Sequence, residues 1–165
     1  MNLRKTVPDR IIETIIACRL PHLKPEGLVK ISFGHRLSMT AENVLGQLLE
    51  AYLANELAAF KWYCCWGETL RSVDFVNEDG RLLQVKNRSN SENSSSSRVR
   101  LGTEIKKWFR VNAASGKYLW ADLNTLHKNL NLSEEHFKEF VIKTLKANQP
   151  AVPVEPANPW NEKEL

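Results

Sequence analysis

Three side chains on two short strand-like runs have types and spacing that can do chemistry. Asp74, Gln84 and Lys86 lie within RSVDFVNEDGRLLQVKNR, residues 71–88. A carboxylate and an amide oxygen can hold a hard divalent cation such as Mg²⁺, which takes one or two carboxylates and fills its remaining positions with water. A neighbouring ammonium can orient the attacking water and neutralise a phosphate. Together such groups suit metal-assisted hydrolysis of a phosphodiester, with Asp74 and Gln84 as metal ligands, the Val85 carbonyl as a further one, and Lys86 beside them.

The intervening turn decides whether these groups meet. Asn-Glu-Asp-Gly at 77–80 suits a type I turn with Gly80 in the left-handed region and a G1 bulge. That closure pairs Asn77 with Arg81, so Phe75 faces Leu83 and Asp74 faces Gln84, with Lys86 diagonal to Asp74. Alternation then gathers Asp74, Gln84 and Lys86 on one face and puts Val73, Phe75, Leu83 and Val85 on the other as an apolar floor.

With Gln at a ligand position the site lacks one negative charge, and a preceding helix can supply it. Val44, Leu45, Leu48, Leu49, Tyr52, Leu53 and Leu57 follow helical periodicity over Thr40–Phe60, with Thr40 or Ser38 as N-cap. Glu42 and Glu50 stand eight residues apart, about 80° around that helix, so either can face the hairpin. Glu50 is favoured because Gly46, one turn earlier, permits close approach; Glu42 is its competitor.

After Lys86 the chain turns polar and basic. Ser89–Ser97 reads SNSENSSSS, either a flexible linker or a loop whose hydroxyls and amides contact phosphates and base edges. Between Lys86 and Arg110 the net charge is +5, against +4 for the whole chain, so the basic character is local and points to a phosphate-bearing partner. Arg98 and Arg100 have the fork that reads guanine, while Asn87, Asn90 and Asn93, with Glu92 and Ser94 between them, can meet bases or backbone. Arg88, Lys106, Lys107 and Arg110 are expected on phosphate.

Elsewhere the spacing predicts a short helix at Ile11–Ile16, a loop over 20–37 with a short strand at Leu28–Phe33, and a buried strand at Lys61–Trp66. Further helices are predicted from an N-cap at Thr103 to Val111, at Leu119–Leu130, and at Glu134–Ala147 with Ser133 as N-cap. The expected organisation is a mixed α/β (α+β) fold with one domain over residues 1–148 and a Pro-rich, flexible tail at 149–165. Cys18, Cys64 and Cys65 fit neither a disulfide framework nor metal spacing and are expected as buried thiols in a reducing compartment. The N-terminal apolar run is too short and too interrupted for a signal peptide or membrane span.

These residues carry a resemblance. VDFVNEDGRLLQVKNRSNSENSSSS resembles the catalytic hairpin of the PD-(D/E)xK nucleases in a Q-x-K variant, although Val73 stands where the Pro of that name would be. QVKNRSNSENSSSSRVRLGTEIKKWFR is similar to the corresponding block of SinI-type type II restriction endonucleases, and the likeness runs over about residues 36–112. The resemblance implies a restriction-endonuclease-like core, a small mixed sheet flanked by helices. Asp74 then matches the metal-binding acid, Gln84 the position usually held by Glu or Asp, and Lys86 the catalytic lysine. It further implies Mg²⁺-dependent cleavage of double-stranded DNA at a short palindrome of the GGWCC kind by a bacterial, cytoplasmic homodimer, accompanied by a cognate methyltransferase. A repair or junction nuclease of the same superfamily, or a DNA-binding module without catalysis, are the alternatives. Only helices are expected after the lysine strand, with Arg98–Leu101 as the candidate for the core's last strand.

Overall fold

The computed structural model describes residues 10–65, 72–89 and 104–148, together with 152, 154 and 158–160. Two helices open the chain, α1 (Arg10–Arg19) and α2 (Pro25–Ala58). The strands β1 (Trp62–Cys64), β2 (Phe75–Asn77), β3 (Leu82–Arg88) and β4 (Ile105–Val111) follow, then α3 (Trp120–Asn124) and α4 (Glu134–Ala147). The strands form one mixed sheet in the order β1-β2-β3-β4, flanked by helices. This is the α+β architecture, a small mixed sheet flanked by helices, that the family resemblance implies.

By its contacts the chain divides into two compact units, residues 1–44 with 148–165, and residues 45–147. In the first, Ser32 Oγ on α2 donates to Glu13 Oε1 on α1 at 3.1 Å. The loop and short strand expected over 20–37 are helix from Pro25 onward. Proline is at home in a first turn, where its missing N–H is not needed, and the glycines at 27 and 34 weaken a helix without ending it. Thr40 is accordingly mid-helix, not an N-cap, and its Oγ1 donates back to Arg36 O at 3.0 Å. Cys18, expected buried, is exposed.

The second unit holds the sheet. Leu49, Leu53 and Leu57 recur every fourth residue along α2 and are at most 1% exposed, so one stripe of the helix is fully inside. Each such leucine contributes about 1.5–3 kcal/mol through burial. Val73, Phe75, Leu83 and Val85, the expected floor, are all buried. Tyr52 joins this core to Trp120 edge-on, with ring centres 6.0 Å apart, and Trp120 meets Trp108 of β4 at 5.1 Å.

The hairpin has the anticipated register, Phe75 opposite Leu83 and Val76 opposite Leu82. Gly80 has φ +83, and its N–H returns to Asn77 O at 2.8 Å, closing the turn. Asn77, 4% exposed, satisfies its whole amide. Its Nδ2 donates to Lys61 O at 3.1 Å and Phe60 O at 3.4 Å, while Oδ1 accepts from Asp79 N at 3.0 Å and Arg81 Nη2 at 3.3 Å. One side chain thus ties the turn to the end of α2. Asn77→Ala is expected to lower unfolding free energy by about 2–3 kcal/mol, because buried partners lose their bonds. Urea denaturation would show it, and a loss under about 0.5 kcal/mol, the level of an ordinary surface substitution, would mean the bonds are dispensable.

β4 runs parallel to β3, pairing Leu82 with Ile105, Val85 with Trp108 and Arg88 with Val111. The helix expected from Thr103 to Val111 is therefore this strand. It is also the last strand of the sheet, the place for which Arg98–Leu101 is the candidate from sequence; those four residues lie outside the described ones. Parallel strands need a crossover of a dozen or more residues, and the sixteen from Ser89 to Glu104 provide the length. The helix expected over Leu119–Leu130 is confined to Trp120–Asn124. Asn124 then fastens the following segment, its Nδ2 donating to Leu132 O and its Oδ1 accepting from Leu132 N. α4 begins as anticipated, with Ser133 Oγ accepting from His136 N at 3.2 Å.

Candidate active site

Asp74 sits just before β2, where the ladder slips by one position. Its N–H donates to Leu83 O, the carbonyl opposite Phe75, at 3.0 Å, and its own carbonyl accepts from Cys65 N at 2.8 Å. Two residues earlier Ser72 has φ +64, an uncommon conformation for a residue with a Cβ. The carboxylate therefore does not simply face Gln84. Its Oδ2 accepts the backbone N–H of Val85 at 2.6 Å, in the middle of β3. Side chain and strand are locked together beside the position of Lys86.

Glu50 on α2 completes the group. Burial raises its carboxyl above the usual range, the charge of Asp74 raises it further, and Lys86 opposes both. Asp74 is likewise raised by burial, against the Val85 N–H and Lys86, which hold it down. The two acids are close enough to feel each other's charge and that of the Lys86 ammonium. Burial sets the sign, because a partly desolvated carboxylate is costly without a cation nearby.

Glu42 is exposed two turns earlier on α2, about 12 Å along the axis. The argument from Gly46 does not hold, since a Cβ built there meets nothing within 4 Å. Glu50 reaches the site by its place on α2, without help from that glycine. Gln84 is 3% exposed and alternates onto the same face of β3 as Lys86.

Cys64 and Cys65, which carried no chemical signal in the sequence, border this site. Burial pushes the Cys64 thiol up to about 11, with Glu50, Cys65 and Asp74 adding to the effect. Cys65 is raised by burial and then by Asp74. Both stay protonated at neutral pH and act as small half-buried side chains. Among the described residues no three His, Cys, Asp or Glu side chains cluster to hold a metal.

The basic residues separate into two groups. Lys107 and Arg88 are exposed, and so is Lys106, whose Nζ donates to Thr125 Oγ1 at 3.3 Å. Arg110, expected outward on a helix, is turned inward on β4 and is 8% exposed. It pairs with Glu134, and its Nε donates to Asn87 Oδ1 at 2.9 Å. Neither Arg110 nor that oxygen of Asn87 faces solvent as a phosphate or base contact would. Asn90, Glu92, Asn93, Ser94, Arg98 and Arg100 lie outside the described residues. A cavity of about 670 Å³ opens at the far end of the sheet, around Gly80, Leu82 and Thr125. Asp79 and Glu104 offset Arg81 and Lys106 along its lining, so it has no net charge to attract a phosphate.

Residues 2–147 match the model of the SinI restriction endonuclease family. The chain belongs to that family. Over 141 residues it is similar to the type II restriction enzyme Eco47I of Escherichia coli, at 43% identity, and to the type II restriction enzyme SinI of Salmonella infantis, at 40%. Each alignment covers 82% of this chain and 61% of the relative, so this SinI-family chain spans about three-fifths of their length. The matched residues include Glu50, Asp74, Gln84 and Lys86. Among the described residues no helix is long and apolar enough to cross a membrane.

Proposed function

We propose that this chain is a type II restriction endonuclease that hydrolyses double-stranded DNA at a short palindrome, of the GGWCC kind, with Mg²⁺. The observation that carries the reading is the meeting of Glu50, Asp74 and Lys86 at one site in a SinI-family fold. The donor set fits a hard cation. Two carboxylates, both penalised by burial, would be relieved by one positive charge between them.

Asp74, whose Oδ2 accepts the Val85 N–H, and Glu50 would supply the carboxylates that hold the cation, with Gln84 and the Val85 carbonyl as neutral oxygen donors. When bound, Mg²⁺ supplies Lewis-acid stabilisation of the phosphate and lowers the pKa of an attacking water. Lys86 would orient an attacking water and neutralise charge developing on the phosphate. Arg88, Lys106 and Lys107 contact the backbone, and the Ser/Asn tract with Arg98 and Arg100 reads the bases. A two-fold palindrome is matched by a homodimer, whose two copies cut the two strands. A cognate methyltransferase protects the host DNA in the same bacterial cytoplasm.

Incubating the chain with unmethylated DNA and Mg²⁺, then sequencing the ends, tests the reading. Discrete fragments with a common terminal sequence are expected; intact DNA under every divalent cation would exclude it. Glu50→Gln is expected to lose about 10²–10⁴-fold in cleavage, the range for a positioned catalytic group, and Glu42→Gln to stay near the unaltered rate. The opposite ranking would exchange their roles.

A further inference from the structure

Arg110 is held from three sides. Its side chain is 10% exposed, Nη1 pairs with Glu134 Oε1, and Nε donates to Asn87 Oδ1 at 2.9 Å. The guanidinium also lies 5.5 Å from the ring centres of Tyr118 and Phe137. The other oxygen of Glu134 accepts the Trp120 indole N–H at 2.9 Å.

The two ends of this set of bonds lie on the elements that carry the candidate active-site residues. Asn87 follows Lys86 directly on β3. At the other end Trp120 meets the ring of Tyr52, two residues beyond Glu50 on α2. Contacts therefore run from the helix of Glu50 through Tyr52, Trp120, Glu134 and Arg110 to Asn87 on the strand of Lys86. The parallel ladder already pairs β3 with β4 on either side, at Lys86–Phe109 and Arg88–Val111. The Asn87–Arg110 bond is not needed to hold the strands together. What it adds is a fixed side-chain link between the end of β3 and the helices.

We propose that Arg110 is a positioning residue for DNA cleavage: through Asn87 it sets where β3 holds Lys86 relative to Glu50. This rests on the nuclease reading above. Arginine is required for geometry, because only its fork reaches an amide oxygen and a carboxylate in fixed directions at once. A displacement of about 1 Å between reacting groups can cost about 10²-fold in rate, so a lost link would be felt in turnover before it is felt in folding.

Asn87 separates the two effects, since its removal leaves the Arg110–Glu134–Trp120 bonds whole. In steady-state cleavage by the full chain, Asn87→Ala is expected to lower kcat about 10- to 100-fold with KM within about twofold, while leaving Arg110 Nε without its acceptor lowers the melting midpoint by only a few degrees. Asn87→Asp retains an acceptor for Nε and should restore kcat to within about threefold, whatever its added charge does to KM. Arg110→Lys keeps the charge beside Glu134 but lacks Nε, so it should show the same kcat-only loss. Combining it with Asn87→Ala should cost no more than either alone, since the two act as a unit.

A rise in KM alone would assign Asn87 to DNA contact and overturn the inference, as would an unchanged kcat or an Asp variant as slow as the Ala one. If Asn87→Ala does not fold, Arg110→Lys decides by the same split. If the unaltered chain cuts no DNA, the nuclease reading falls and this inference with it. If it cuts and the variants cut equally well, only this inference falls.

Discussion

Asp74→Asn is expected to abolish cleavage, to about 10³-fold below the unaltered rate or lower, while the chain stays folded and becomes no less stable. Asparagine retains an oxygen for the Val85 N–H, now met at 2.6 Å, so the strand keeps its anchor. Only the charge is lost. Burial has raised the Asp74 carboxyl above its usual range, so between its unfolded and folded pKa the native state holds a proton that the unfolded chain releases. Stability accordingly falls as pH rises through that window and stays lower above it. A neutral amide removes this deficit, and thermal melts should place the variant at or above the unaltered chain near neutral pH. Asp74→Ala is a poorer probe, because it also leaves the Val85 N–H unsatisfied. Lys86→Ala should lose activity to a similar degree, with binding weakened less than cleavage. Unchanged plasmid digestion by Asp74→Asn or Lys86→Ala would remove the active-site assignment.

The second large effect is on stability. Arg110→Met leaves Glu134 as a mostly buried carboxylate without its cation and is expected to cost about 3–5 kcal/mol. In a chain of this size that lowers the melting midpoint by about 10 °C. Glu134→Ala should cost at least as much, because it strands Arg110 and also deprives the Trp120 indole of its acceptor. Joining Arg110→Met with Glu134→Gln removes both charges and keeps an oxygen for Trp120. That double variant should lie within about 1–2 kcal/mol of the unaltered chain, since a buried ion pair contributes little over well-packed neutral groups. Differential scanning calorimetry of the three variants gives the comparison. A double variant less stable than Arg110→Met alone would show that the pair is strongly stabilising in itself.

How far each element could be read in advance follows from where its information lies. The hairpin was legible because a turn is written in four consecutive residues. Asn77–Gly80 dictated the closure, Gly80 took the left-handed conformation, and the pairing of Phe75 with Leu83 followed. The apolar stripe of α2 and the Ser133 cap of α4 were legible for the same reason, as local patterns satisfied within one or two turns.

β4 does not show as a strand in the sequence, because its pattern depends on a residue far away in the chain. Ile105, Trp108 and Phe109 match helical spacing, and the strand alternation is hidden because Arg110, a charge, occupies an inward position. That position is tolerable only because Glu134, twenty-four residues later, brings a carboxylate to it. Glu50 was similarly beyond a one-dimensional decision. Periodicity allows Glu42 and Glu50 alike, a Cβ at Gly46 meets nothing within 4 Å, and only the folded chain brings Glu50 within reach of the charges of Asp74 and Lys86. Residue chemistry and local turns therefore announced which groups could act and how two of the strands pair. Which distant acid joins them, and which arginine is spent inside holding the strand that carries the lysine, are matters of long-range contact that no short window of sequence contains.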